Sequence, residues 1–158
     1  GIDPHSIAVA VLGGNDAEIA AVVRGYVAPG VGSYGNVVVE TTVGGYCRPV
    51  AIIRPSEVRI GIAITVQAMP TRSGCPAPAA AAISASIASG LSGDARPPNG
   101  AAVTLHMVTA ALAAVHPTTE IVALAWRLPD DGPGVYSTPI QIGLFEIAKI
   151  AAEDVRVL

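Results

Sequence analysis

Gly30 to Gly35, GVGSYG, match the spacing G-x-G-x-x-G. In a dinucleotide-binding fold that spacing closes a strand, opens a helix and lets backbone N–H groups cradle a pyrophosphate. Here the order of elements is reversed. Asn15 and Glu18 form an N-terminal capping pair, and Ile19, Val22, Val23 and Tyr26 recur at i, i+3, i+4 and i+7 on one helical face. Ala28 and Pro29 stop that helix, and Asn36 to Glu40 leave the glycines as a strand, so no helix N-terminus faces a phosphate. The other reactive residue types are just as poorly placed. His5, His106 and His116 build neither an i, i+4 metal pair nor a zinc site, and His116 suits the negative end of a helix. There is no G-x-S-x-G, and the serines of SASIAS lie on a helix where their hydroxyls bond back to the preceding turn. Asp130 and Asp131, in DDGPG, lack the alternating oxygen ligands of a cation loop and read as a solvated turn. Cys47 and Cys75 are too few for a disulfide framework and read as two unpaired, buried thiols; a disulfide between them would need oxidising surroundings. The expectation is no enzyme, no metal and no cofactor.

The elements that hold these residues point to an α+β fold of two small helix-on-sheet lobes with mixed or antiparallel sheets, each compatible with a split β-α-β arrangement. The first lobe, residues 1–56, is β-α-β-β: a strand at Ser6 to Leu12, the capped helix, a strand at Asn36 to Thr42, a tight reversal at Val43 to Tyr46, and a return at Cys47 to Arg54. The second, residues 57–158, opens on the cleanest alternation in the chain, with Val58, Ile60, Ile62, Ile64 and Val66 on one face. Pro70 to Pro78 is a loop, followed by an alanine-rich helix with the stripe Ile83, Ile87, Leu91. After a polar loop at 92–100, Val103 to Leu105 reads as a short strand. Leu105, Val108, Leu112 and Val115 give a second helix that Pro117 stops. Thr119 to Leu128 is a strand with Ile121, Ala123, Ala125 and Arg127 facing away from Val122, Leu124, Trp126 and Leu128, and Trp126 is core. The run 139–150 is ambiguous, and Asp154 to Leu158 is a last strand.

Composition narrows the function classes. Nine Lys plus Arg against twelve Asp plus Glu leave a net charge of −3, without the clustered basic face of a nucleic-acid binder. Arg48, Arg54, Arg59 and Arg72 read as the polar half of alternating strands or as partners for interface carboxylates; Glu146, Glu153 and Asp154 read as surface or interface charges. Hydrophobic residues make up 51% and charged residues 13%, against roughly 25% charged in a typical soluble domain. Either small buried alanines account for this, or permanent neighbours cover part of the apolar surface. A membrane span is not expected, because Pro78, Ser84, Ser86, Ser89 and Gly90 interrupt the apolar run from Ala77 to Leu91, and the run from Ala101 to Val115 is short. The start at Gly1, without methionine, implies an upstream region.

Taken in order, GIDPHSIAVAVLGGNDAEIAAVV, APGVGSYGN with its following strand, and RPSEVRIGIAITV resemble the C-terminal part of baseplate J-like proteins, wedge subunits of contractile phage tails and related injection machines. Gly13, Gly14, Asp16, Ile19, Ala20, Gly30, Gly32, Gly35, Asn36, Arg54, Pro55, Val58, Ile60, Ile62, Ile64 and Val66 match that family's pattern. The second half agrees only in layout, the hairpin turn is shorter, and the family's N-terminal region is not present in this sequence. The resemblance implies a structural baseplate subunit, a wedge component of a sixfold ring around a hub, whose rearrangement triggers sheath contraction. Its partners would be other wedge subunits and copies of itself, with sheath-proximal and tail-fibre-connecting proteins nearby, in a virion tail baseplate assembled in the host cytoplasm. Function would then lie in exposed loops: Gly30, Gly32, Tyr34 and Asn36 of the glycine turn, Arg96 and Asn99 of the 92–100 loop, and Asp130, Asp131 and Tyr136 of the 130–138 loop. The alternatives are a small-molecule-binding or enzymatic α+β domain whose site is the glycine turn, and the equivalent subunit of a tailocin or bacterial injection system.

Overall fold

A computed structural model describes residues 2, 4–68, 76–128 and 135–158. The fold is α+β, with parallel and antiparallel strand pairing. The chain divides into two compact units, Gly1–Ser56 and Glu57–Leu158.

In the first unit, β1 (Ser6–Ala8) leads through a glycine turn into α1 (Asp16–Tyr26), whose Asn15 side chain accepts from the N–H groups of Ala17 at 2.9 Å and Glu18 at 3.3 Å. Asp16 and Glu18 complement the positive end of the helix. β2 (Gly32–Tyr34) returns parallel to β1, from Ser6↔Gly32 to Ala8↔Tyr34, completing a β-α-β unit. A strand thus lies inside the segment expected to be a bare glycine turn. β1 is shorter than expected, and beyond it only Ala10 makes a bridge, to Ile53. β3 (Val37–Val43) and β4 (Tyr46–Ile52) form the hairpin, closed by Gly44 and Gly45 at φ 61° and 82°. Positive φ at both central residues is the type I′ turn that suits the twist of two-residue hairpins. Gly35 answers a different demand: a Cβ there would stand 2.1 Å from the Ile52 carbonyl oxygen, so β2 can reach β3 only through a residue without a side chain.

α1 lies on this hairpin through Ala20 and Val23, against Val50 and Ile52, with Ile19, Val27, Val37 and Val39 at the margin. Each fully buried valine or isoleucine contributes roughly 1.5–3 kcal/mol. The expected helix face is corrected here. Val22 and Tyr26 point outward, Tyr26 with 89% of its surface exposed, because the contact runs through the smaller Ala20, which lets the helix approach the sheet closely.

The second unit opens within β5 (Ser56–Arg59), which pairs with β8 (Glu146–Lys149). After Ile60 the chain continues as β6 (Gly61–Ala68), flanked by antiparallel β7 (Thr119–Arg127) and parallel β9 (Val155–Val157). The single long strand expected from Val58 onward is therefore two strands serving two sheets. Its inward face is as expected: Ile60, Ile62 and Ile64 are buried under α2 (Ala80–Gly90) and α3 (Leu105–Val115), with Val58 and Val66 at the edges. The α2 stripe Ile83, Ile87, Leu91 is buried, and Trp126 is core, its indole N–H donating to the Val103 carbonyl at 3.0 Å.

Four expectations in this unit change. Val103 to Leu105 is not a strand; Thr104 caps α3, its hydroxyl accepting from Met107 N–H. On α3, Leu105 and Val115 are exposed, and Ala111 joins Val108 and Leu112 inside, where a Cβ on Gly90 of α2 would come within 2.7 Å of the Ala111 Cβ. In β7 the register shifts between Thr65 and Val66, so Val122 is an extra residue that points outward. That bulge re-phases the strand and brings Ile121 onto the side of Leu124 and Trp126, against strict alternation. Finally, Ser84 donates to the Val155 carbonyl of β9 at 2.9 Å instead of bonding back along its helix, as Ser86 does to Ile83.

Candidate functional site

Five separated residues, Gly13, Gly14, Asp16, Asn36 and Arg54, meet around one guanidinium. Arg54 Nε donates to Asp16 Oδ1 at 2.7 Å, Nη1 to the carbonyls of Val11 and Gly13, and Nη2 to the Gly14 carbonyl at 3.0 Å and again to Asp16. All five N–H donors of the fork have a partner, an arrangement lysine cannot copy. Asn36 completes the knot: its Oδ1 accepts from Arg54 N–H at 2.8 Å and its Nδ2 donates to the Arg54 carbonyl at 3.0 Å. This is architecture. Arg54 pairs inside its own unit, and Asn36, although exposed, holds β3 to the end of β4.

The other loop residues are similarly engaged. Asn99 Nδ2 donates to the Leu144 carbonyl at 2.8 Å, and Gly100 N–H to the Glu146 carbonyl, pinning the 92–100 loop to the turn before β8. Arg96 stands 3.5 Å from Glu57, which Lys149 also engages. The Lys149 ammonium, ahead of Arg96, holds the Glu57 carboxyl below the usual glutamate range. Tyr136 is exposed and exchanges two backbone hydrogen bonds with Trp126. Gly30 and Gly32 are exposed, and Tyr34 is half-buried. Asp130, Asp131, Arg72 and Cys75 lie outside the described residues. One charge expectation is corrected: Asp154, expected at the surface, is buried, receiving Arg59 at 2.7 Å and the Ala151 N–H together, while the exposed Glu153 stands 3.3 Å from the same arginine.

For covalent or metal chemistry the geometry offers little. Cys47, expected to be buried, is exposed on β4 and donates to Glu40 Oε2 at 3.1 Å. That hydrogen bond, with the neighbouring carboxylate charge, raises the thiol pKa and keeps it protonated. Among the described residues no three His, Cys, Asp or Glu side chains gather to hold a metal ion, and no helix is long and apolar enough to cross a membrane.

Three concavities stand out among the described residues. An open apolar groove of about 400 Å³ runs between Val9 and Val11 beyond β1 and Ile19, Val22 and Val23 of α1. A charged one of about 380 Å³ lies among Glu57, Arg59, Lys149, Glu153 and Asp154, where each carboxylate is already ion-paired with one of the two cations. The third, about 180 Å³, lies between the end of α1 and the hairpin, with Arg24 and Arg48 on its walls, Val27, Val31, Pro49 and Val50 as its apolar lining, and Ser33 and Gly32 of β2 beside them. No protein-family model matches the chain, and no curated protein matches it. Sequence reading missed this third cavity. Its signal was present only as absences: no carboxylate lies three or four residues from Arg24, and Thr41 is the residue opposite Arg48 across the hairpin.

Proposed function

We propose that the chain is a structural subunit of a contractile-tail baseplate, the C-terminal part of a baseplate J-like wedge protein. The observation that carries this reading is the Arg54 knot. Gly13, Gly14, Asp16, Asn36 and Arg54 are separated in the sequence and match the family pattern in order, and they converge on one hydrogen-bonded centre. Residues that matched by chance would have no reason to do so. A motif that builds a scaffold, and not a pocket for substrate, suits a protein whose work is assembly. Large apolar side chains at the surface support the same reading: Tyr26, Val22, Val38 and Tyr46 in the first unit, and Val115, Val122 and Val135 in the second. Partners in this reading are other wedge subunits and further copies of the chain.

Electron microscopy of the native particle tests it. The expected result is density for this fold in a sixfold ring around the tail hub, and a particle whose baseplate lacks the chain would overturn the proposal. Packaged genome in the same particle would assign it to a phage; its absence would assign it to a tailocin or injection system.

A further inference from the structure

We propose that Arg24 and Arg48 form a socket for a single carboxylate side chain, a glutamate or aspartate presented by a protein partner. The inference rests on the assembly reading above, because the occupant is part of another polypeptide.

Arg54, Arg59, Arg96 and Lys149 each have a carboxylate within the ion-pairing distance in their own unit. Arg24, Arg48, Arg127 and Arg156 have none among the described residues, and of these four it is Arg24 and Arg48 that line one cavity together. Two guanidiniums facing one concavity repel each other, and in a chain with more acidic than basic residues such a pair is the exception. An anion between them removes the repulsion and gives two planar forks the bidentate partner they are shaped for.

The surroundings select the kind of anion. Ser33 accepts from the Ala51 N–H at 2.7 Å through its oxygen, leaving its hydroxyl hydrogen to donate into the cavity. Val27, Val31, Pro49 and Val50 offer an apolar wall that a methylene stem would contact and a bare inorganic ion would not. At about 180 Å³ the cavity is smaller than the roughly 300–1,000 Å³ of metabolite pockets, which favours one side chain over a whole small molecule. The carbonyl end of α1 carries partial negative charge, so attraction must come from the two arginines.

The test is a titration of the intact chain, followed through the arginine Nε–H signals in nitrogen-15 NMR spectra at low salt. The probes are N-acetyl-glutamate methylamide, its glutamine counterpart and inorganic phosphate. The expected result is saturable shifts of the Arg24 and Arg48 signals with the glutamate probe, at least tenfold weaker binding of the glutamine probe, and loss of the response in R24A and R48A. A V31A variant, which trims only the apolar wall, should weaken the glutamate probe and leave phosphate unaffected. Phosphate binding as tightly as the glutamate probe would overturn the carboxylate socket in favour of a free-oxyanion site. No saturable response in a folded protein would overturn it altogether. Neither outcome bears on whether the chain sits in a baseplate, which the particle itself decides.

Discussion

Arg54 is the residue on which the first unit turns. Replacing it by alanine leaves the Asp16 carboxylate and three loop carbonyls without their donor, and half-exposed groups of this kind rehydrate only in part. R54A is therefore expected to destabilise the first unit by about 2 kcal/mol, and R54K to recover less than half, because a point charge cannot serve four acceptors on two sides. Hydrogen exchange of α1 and hairpin amides measures this; full rescue by lysine would contradict the role given to the fork. Glu57 offers a pH-dependent counterpart in the second unit. Its folded pKa lies below the ordinary value of 4.5, so the stability it contributes is present above that value and is lost as pH falls through the lower folded one. The stability difference between wild type and E57Q should accordingly shrink as pH drops below 4.5. Denaturant unfolding followed by Trp126 fluorescence at neutral and acid pH would show it. Such residue-level roles were only half legible in the sequence. The match of Arg54 to a family pattern marked it as important, but the partners of its guanidinium are 38 to 43 positions away, and nothing local distinguishes a clamp from an interface charge.

Elements were easier to read where pattern and local chemistry agreed. The inward face Ile60, Ile62, Ile64, the stripe Ile83, Ile87, Leu91 and the Gly44–Gly45 turn all follow from periodicity or from positive φ. Misreadings came where small residues or a register change intervened: Ala20 and Ala111 provide contact surface although neither stands out in hydropathy, β2 is three residues long and begins at a glycine, and the bulge at Val122 inverts half a strand. The approach of α2 to α3 makes this testable. G90A inserts a methyl 2.7 Å from the Ala111 Cβ and should cost about 1–3 kcal/mol by overpacking. Combined with A111G, which reopens the space, the loss should be clearly less than the sum of the single changes. Additive losses in a thermal or denaturant double-mutant cycle would mean that the helices do not meet there.

At the scale of the whole molecule, each unit has its own core, of four buried residues in the first and fifteen in the second among the described residues. A chain of about 60 residues buries only some 60% of the surface it exposes when unfolded, which makes it marginal alone. The fragment 57–158 is therefore expected to unfold cooperatively with native Trp126 fluorescence, and the fragment 1–56 to be largely unfolded without its context. Expressing the two separately and recording circular dichroism melts checks both halves of the statement. The parallel pairing of β6 with β9 also sets a clock. Arg59 and Asp154, at the border of that pairing, are 95 positions apart. A ribosome adding roughly 5–20 residues per second needs on the order of 5–20 s to travel that distance. During that interval Ile62 and Ile64 have been made and the strand that completes their sheet has not, so a chain released early carries an open apolar edge that a finished chain has closed.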